Sequence, residues 1–412
     1  MRNINPRNFI KATRGTSREI NRQIILTLIR THQPVSRADL SRLMETNRAN
    51  ITLLVNELLA EKLVREGAQG NLRVPGRKPT FLYINSERGY AIGLDVRATR
   101  TFMMITDSIG KQIGEIVSFP TKFDPAEFVS SLSSQIRKGL RAVGLPSSSR
   151  WSCDGIGIVF PGMVDRESGV VINAPKLGWN NVRLIEMLEA EFKETPIHLE
   201  NSGRACALSQ IWSARQDAEG QNDRVFVSVS DGVGVGVVIN GELIRGKHNT
   251  AGEFGHVALN VDGPPCSCGA NGCWEAYISN LATLSRYFGR NLSKREPEPV
   301  EIMNFTIEDL IELAREGNSK AITALNSTAR YLGLGLASVI NALDPSVIDI
   351  GGEITEAWDL IEMHVREAIK ERTVIRELGR TTIRIVPAAE YPRLRGAVAL
   401  VTAPAFAAPK VA

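Results

Sequence analysis

The chain has 412 residues, of which 43% are hydrophobic, and a formal net charge of +4. This length exceeds what a single hydrophobic core supports and predicts two or three domains. The sequence has no 18-residue apolar span and no signal peptide, which excludes a membrane-spanning protein and predicts a soluble, cytoplasmic protein without a membrane partner.

The charge is distributed unevenly. Residues 1–80 carry 15 Lys and Arg against 6 Asp and Glu, whereas the rest of the chain carries 34 against 39. A basic head on a mildly acidic body is expected when one end of a protein meets phosphate. An ordinary solvated basic segment would have the same composition.

The first eighty residues predict three short helices followed by a wing. Apolar residues recur at helical spacing over 20–29, a capping-box pattern at 36–39 opens a second helix, and a third helix begins near Asn47. Two strands, 63–66 and 81–84, then flank a polar loop. This order predicts a winged helix-turn-helix at residues 1–85, and the alternative is a small helical interaction module.

The third helix is the expected recognition helix. Its apolar stripe (Ile51, Leu54, Val55 and Leu58) leaves a polar face at its amino-terminal end. Arg and Asn form paired hydrogen bonds with guanine and adenine edges in the major groove. We therefore expect DNA contacts from four residues of this helix and from two cations of the wing, namely Asn47, Arg48, Asn50, Thr52, Arg77 and Lys78.

From Tyr90 the pattern changes to strands. Segments 90–96, 101–106 and 112–120 predict an antiparallel meander, which is followed by an amphipathic helix at 128–143 and an apolar strand at 155–160. A second strand-rich segment begins at 225 and is again followed by helical and strand patterns. The repeated order predicts an α/β body with two related lobes that face a cleft.

Three of the five cysteines, Cys266, Cys268 and Cys273, lie within eight residues, and His256 lies shortly upstream. Three thiolates and one imidazole form a complete tetrahedral ligand set for Zn²⁺ and leave no position for a catalytic water. The pattern therefore predicts structural zinc, and a coincidental cluster or a redox pair is the alternative. The other cysteines, Cys153 and Cys206, lie among apolar residues and are expected in the core.

Several separated motifs together resemble the ROK family, named for repressors, open reading frames and kinases. They are residues 161–165, 173–175, 232–236, 253–256, the three zinc cysteines and 350–353. The resemblance implies a two-lobed actin- and hexokinase-like (ribonuclease H-like) fold. The small lobe would comprise 86–205 with a C-terminal helix, 392–412, that packs back on it. The large lobe with the zinc site would comprise 206–391.

The resemblance also implies a sugar site, whose contacts would come from Asn201, Glu253, His256 and Glu275. Carboxylates accept hydrogen bonds from vicinal hydroxyl groups, and an amide both donates and accepts. Zinc on one imidazole nitrogen leaves the other nitrogen free to face a sugar. Alternatively, these polar groups only support the zinc site.

The positions that the kinases of the family use for catalysis differ in this chain. Their catalytic base is the aspartate of an Asn-Asp-Ala stretch, where this chain has Ser202. Their first phosphate loop reads Asp-x-Gly-Gly-Thr, where residues 95–99 place Arg97 and Ala98. The glycines at 232, 234 and 236 are interpreted as an inherited turn without a nucleotide, and Glu353 replaces a third glycine. These differences predict that the protein is not an enzyme.

With its winged helix, the chain is similar to the sugar-responsive repressors of the family, the group that contains the xylose and N-acetylglucosamine repressors. This implies a regulator, most simply a repressor of carbohydrate-utilisation genes, that a sugar or sugar phosphate releases from operator DNA. A homodimer or a dimer of dimers is expected. The alternatives are a ROK kinase that phosphorylates a hexose with ATP, and a regulator controlled by a protein partner.

Overall fold

The structure is a computed structural model that describes residues 14–67, 80–145, 152–213, 223–290, 304–374 and 381–406. Its α-helices are α1 (Arg14–His32), α2 (Arg37–Leu43), α3 (Arg48–Ala60), α4 (Pro125–Ala142), α5 (Leu184–Glu189), α6 (Ser202–Ser213), α7 (Glu275–Ile278), α8 (Asn280–Phe288), α9 (Ile307–Arg315), α10 (Ser319–Leu343), α11 (Trp358–Arg372) and α12 (Pro392–Thr402). In the described part of the chain, no helix combines the length and hydropathy needed to span a bilayer.

The strands form four sheets. They are β1 (Val35–Ser36), β2 (Val64–Gly67), β3 (Phe81–Ile84), β4 (Gly89–Val96), β5 (Arg100–Asp107), β6 (Val117–Pro120), β7 (Ser152–Phe160), β8 (Met163–Asp165), β9 (Val170–Ala174), β10 (Trp179–Val182), β11 (Ile197–Asn201), β12 (Arg224–Val229), β13 (Val233–Ile239), β14 (Glu242–Leu243), β15 (Val347–Gly351) and β16 (Thr382–Val386).

The amino-terminal head is a winged helix-turn-helix, as the sequence predicted. The Ser36 side chain accepts a hydrogen bond from the Asp39 backbone N–H, and the Asp39 carboxylate accepts one from the Ser36 backbone N–H, which is the predicted capping box of α2. A small sheet in the order β1-β3-β2 closes the head. Its core contains the predicted buried stripe of α3 together with residues of α1 and the wing strands.

The body contains two five-stranded sheets with one topology. The first has the order β11-β7-β4-β5-β6 and the second the order β14-β13-β12-β15-β16. In each sheet the first three strands in chain order are antiparallel, and the next two are added parallel on the other side. The predicted repeat is therefore confirmed. The third predicted strand is shorter than expected, because Gln112 forms only an isolated bridge with Thr106 before β6 begins.

Helix α12 returns from the carboxyl-terminal end of the chain to the first sheet. Its Ala397 and Leu400 pack in a fully buried cluster with Val159 of β7 and Ala205 of α6. A 3-10 turn, Ala403–Phe406, follows α12, and residues 407–412 of the predicted helix lie outside the described residues.

Helix α6 lies between the two lobes. Its Ala205 packs with residues of the first sheet and α12, and its Cys206 and Ala207 pack with Phe226 and Val238 of the second sheet. The boundary expected between residues 205 and 206 therefore falls inside a helix that belongs to both lobes. A relative movement of the lobes therefore changes the contacts of α6 with at least one of them.

Candidate metal and sugar site

The four predicted metal ligands converge at the surface of the second lobe, which is the lobe built on the second five-stranded sheet. One ligand atom from each of His256, Cys266, Cys268 and Cys273 lies within 4.8 Å of all the others. The His256 Nδ1 atom is 3.6 Å from the Cys266 Sγ atom, and the Cys268 and Cys273 Sγ atoms are 3.7 Å apart. Tetrahedral zinc with its usual bond lengths separates sulfur atoms by about 3.8 Å and sulfur from nitrogen by about 3.6 Å. The cluster is therefore able to hold a metal ion.

Local backbone structure presents these ligands. His256 ends a 3-10 helix, Phe254–His256, and Cys266 begins a turn in which its backbone N–H donates to the Ala270 carbonyl over 2.8 Å. Burial raises the pKa of the Cys273 thiol to about 12. A metal cation offsets this penalty because it binds the thiolate and displaces the proton.

Glu275 connects the loop that carries the three cysteines, residues 266–273, to Val233 at the start of β13. We call residues 266–273 the metal loop. Its Oε2 atom accepts a hydrogen bond of 2.8 Å from the Val233 N–H, and its Oε1 atom accepts one of 3.1 Å from the Ser267 hydroxyl. The same carboxylate oxygen is 4.0 Å from the Cys266 Sγ atom. A change at the metal loop therefore reaches β13 through one side chain.

Glu253 lies beside these groups. Burial raises the pKa of its carboxyl, and the charges of His256 and Arg204 oppose that shift while Glu275 adds to it. In the described part of the chain, no hydrogen bond to the Glu253 carboxylate is found. The structure thus brings Glu253, His256 and Glu275 together. The Glu253 carboxylate is available to accept a hydrogen bond from a hydroxyl group.

Asn201 lies at the end of β11, where the chain enters α6. Its amide nitrogen donates to the Gly162 carbonyl over 2.8 Å, and its amide oxygen accepts from the Gly203 N–H over 2.8 Å. The predicted sugar contact therefore also fixes the first turn of α6 and joins it to the turn after β7.

The glycines at 234 and 236 have a packing role that the sequence analysis did not assign. A Cβ atom at Gly236 would lie 2.5 Å from the Gly203 carbonyl oxygen, and one at Gly203 would lie 2.6 Å from the Val235 backbone nitrogen. Helix α6 therefore packs directly on the backbone of β13, which requires glycine on both sides.

A buried ion pair below Asn201 was not predicted. Glu200 accepts hydrogen bonds from the Nε atoms of Arg204, over 2.7 Å, and Arg245, over 2.9 Å, and Glu200 and Arg204 are each 1% exposed. Arg204 also donates to the Asn249 carbonyl. The spacing of Glu200 and Arg204, four residues apart at a strand–helix junction, could have indicated their pairing. No sequence signal indicates Arg245, which is distant in sequence.

Two arginine side chains lie against Asp95, at the position that by sequence resemblance corresponds to the first phosphate loop of the kinases. The Arg97 Nε atom donates to the Asp95 carboxylate over 2.8 Å, and the Arg393 Nε atom lies 3.6 Å from its other oxygen. Burial lowers the pKa of Arg393, but the charge of Asp95, with smaller contributions from Cys206, Glu353 and Asp231, outweighs burial and raises it. Arg393 therefore faces acidic groups of both lobes.

On the head, Arg48, Asn50 and Thr52 are exposed along α3. Asn47 caps this helix by accepting a hydrogen bond from the Asn50 N–H over 2.9 Å, and the Thr52 hydroxyl donates to the Arg48 carbonyl. Among the described residues, no hydrogen-bond partner of the Asn47 amide nitrogen is found. Arg77 and Lys78 lie outside the described residues.

Comparisons with known proteins agree with this architecture. Residues 92–403 match the ROK family, and the chain belongs to that family. The xylose repressor of Bacillus spizizenii is 30% identical over 369 residues, which cover 88% of this chain and 89% of the relative.

Two solved structures show the same fold. A ROK family transcriptional regulator, described as a homologue of the Escherichia coli Mlc protein, superposes with a TM-score of 0.79 at 24% identity and covers 95% of this chain and 97% of its own. A ROK family glucokinase from Streptomyces griseus, in complex with glucose and AMPPNP, has a TM-score of 0.63 at 25% identity and covers 76% of this chain and 99% of its own. A transcriptional regulator and a kinase of the family are thus both structural relatives.

Proposed function

We propose that this protein is a sugar-responsive transcriptional regulator that represses carbohydrate-utilisation genes and leaves its operator when a sugar or sugar phosphate binds the body. The observation that carries the proposal is the union, in one chain, of a winged helix-turn-helix and a body with polar groups gathered beside a metal cluster. A relative that matches 88% of the chain is named as a xylose repressor.

The metal that best suits the cluster is Zn²⁺, because three thiolates and one imidazole are its preferred structural set. His256, Cys266, Cys268 and Cys273 would hold it. The Nδ1 atom of His256 faces the sulfur atoms, which leaves Nε2 for a sugar hydroxyl. Glu253, Glu275 and Asn201 would supply the remaining sugar contacts.

Operator DNA would be bound by the exposed end of α3. We assign base contacts to Arg48, Asn50 and Thr52, with Asn47 both capping α3 and donating from its amide nitrogen, and phosphate or minor-groove contacts to Arg77 and Lys78 of the wing. A homodimer or dimer of dimers would place two heads on half-sites.

We assign no kinase activity to the chain. A kinase of this fold needs a carboxylate base and a loop of bare backbone around the phosphates. Ser202 lacks a carboxylate, and the Asp95 carboxylate is held by Arg97 with Arg393 beside it. The alternative, a hexose kinase, is favoured by the likeness to the S. griseus glucokinase.

The regulator function is tested by selecting double-stranded DNA fragments with the full-length protein and measuring anisotropy of the best palindromic fragment. We expect tight binding without sugar and release by one member of a panel that contains D-xylose, D-glucose and N-acetyl-D-glucosamine, each free and phosphorylated. If no sugar in the panel changes DNA affinity, sugar sensing is wrong.

Replacing Glu253 with glutamine should weaken binding of that sugar by about 10- to 100-fold, because the charged acceptor of the hydrogen bond becomes a neutral amide while the side-chain shape is kept. Isothermal titration calorimetry measures the change. The matched control is Glu242→Gln, an exposed carboxylate of the same lobe, which should bind the sugar as the wild type does. Equal affinity of the Glu253→Gln and Glu242→Gln variants would remove Glu253 from the site.

A coupled ADP-release assay over the same panel should show no sugar-dependent ATP turnover. The Ser202→Asp variant should also be inactive, because restoring the base leaves Arg97 and Arg393 beside Asp95. Sugar-dependent turnover by the wild-type chain would establish the kinase alternative in place of a purely regulatory role.

A further inference from the structure

A junction between the head and the body lies at the carboxyl-terminal end of α6. Its members are Arg30 of α1, Gly110 of the turn after β5, Trp212 of α6 and Phe406 of the last 3-10 turn, and we call them the Trp212 junction. The Arg30 guanidinium carbon is 4.1 Å from the centroid of the Trp212 ring, and Nη1 of Arg30 donates to the Trp212 carbonyl over 3.3 Å.

The other members fix this contact from both sides. The rings of Trp212 and Phe406 have centroids 5.4 Å apart, and the Phe406 carbonyl accepts a hydrogen bond of 3.0 Å from the Thr27 hydroxyl of α1. A Cβ atom at Gly110 would lie 3.2 Å from the Trp212 Nε1 atom. Burial lowers the pKa of Arg30, so the guanidinium is partly desolvated, and a desolvated cation interacts strongly with an aromatic face.

The opposite end of α6 lies at the candidate sugar site. Asn201 fixes its first turn, Gly203 packs on the backbone of β13, and Arg204 is held by the buried Glu200. The helix has 12 residues and therefore spans about 18 Å between the two ends. One continuous helix thus connects the sugar-contacting loops to α1 of the head.

We propose that α6 is the element that couples effector binding to DNA release, and that the contact of Arg30 with Trp212 transmits its displacement to the head. This inference rests on the proposed regulator function and adds the path of coupling. A rigid helix that contacts both lobes shifts when the lobes change their angle, and α1 follows because Arg30 stacks on its last turn. Arg30 is a positioning residue in this mechanism and touches neither sugar nor DNA bases.

The test compares four full-length proteins: wild type, Arg30→Ala, Arg30→Lys and Arg18→Ala. Arg18 is the matched control, because it lies on the same helix but pairs with Glu57 inside the head. Anisotropy of the selected operator fragment is measured with and without each sugar of the panel, and sugar affinity is measured separately by calorimetry. Circular dichroism melts verify folding.

For the wild type and Arg18→Ala, sugar should weaken DNA binding by a factor in the usual allosteric range, about 5- to 150-fold. For Arg30→Ala, sugar affinity should be retained, but sugar should weaken DNA binding by less than about twofold. Such a variant binds sugar but is not released from DNA. Arg30→Lys keeps the charge but loses the planar stack and should be intermediate.

The outcomes separate the two levels of the argument. If sugar does not release the wild-type protein from DNA, the proposed function and the coupling both fail. If it releases the wild type and Arg30→Ala equally, only the coupling fails. If Arg30→Ala does not fold, Arg30→Lys decides, because undiminished release in that variant excludes a role for the planar stack.

Discussion

The Cys268→Ser variant is expected to lose its bound metal and to melt several degrees below the wild-type protein. Cys268 is exposed, so replacing its sulfur removes a candidate ligand while leaving the core intact. A ligand present at 100 to 1,000 times its dissociation constant stabilises the native state by about 2.7 to 4.1 kcal/mol, and this stabilisation should disappear. Metal content by mass spectrometry and thermal melts measure both effects.

The control for this experiment is Cys153→Ser, which removes a thiol that lies outside the metal cluster. It should retain one equivalent of metal per chain. Because Glu275 connects the metal loop to β13, the Cys268→Ser variant should also bind sugar more weakly. A Cys268→Ser protein with full metal content and an unchanged melting temperature would show that the cluster has another role.

Much of the fold was predictable because its signals are local. The head follows from helical periodicity, the capping box at Ser36 and two short strands, and all of these lie within neighbouring residues. The duplicated sheets follow from a strand order that occurs twice along the chain. The candidate metal ligands from 256 to 273 are close enough in sequence for spacing alone to indicate one cluster.

The contacts that join distant parts of the chain were not predictable. Arg30 and Trp212 are 182 positions apart, and Thr27 and Phe406 are 379 positions apart. Hydrophobic periodicity predicts which face of a helix is buried but not which element covers it. Asn47 shows a second limit, since one side chain type suits both a helix cap and a base contact.

The glycines of β13 show that one sequence pattern fits two different physical explanations. The sequence pattern resembles a phosphate loop, but Gly234 and Gly236 lie directly against α6. A side chain at either position would push α6 away from β13. The close packing of α6 on β13 is therefore by itself a sufficient physical reason for glycine at these positions.

Replacing Glu200 with glutamine should destabilise the body by about 3–5 kcal/mol at pH 7, because it leaves the buried Arg204 without a counter-charge. Burial raises the pKa of Glu200, but Arg204 and Arg245 outweigh burial, so the pKa of this carboxyl lies below its ordinary value. The contribution of the charge is therefore fully present at neutral pH. This contribution to stability is lost only as the pH falls below the ordinary pKa of a glutamate, about 4.3, toward the lower pKa of Glu200 in the folded protein.

Urea unfolding of the wild type and the Glu200→Gln variant, from pH 7 downward, measures this dependence. The difference in unfolding free energy should be largest at pH 7 and should shrink once the pH passes below the ordinary pKa of a glutamate. The matched control is Glu371→Gln, which breaks an exposed pair with Arg330 and should leave stability nearly unchanged. A Glu200→Gln variant as stable as Glu371→Gln would show that the hydrogen bond from Arg204 to the Asn249 carbonyl suffices to hold this junction, and that the charge on Glu200 is not needed to position α6.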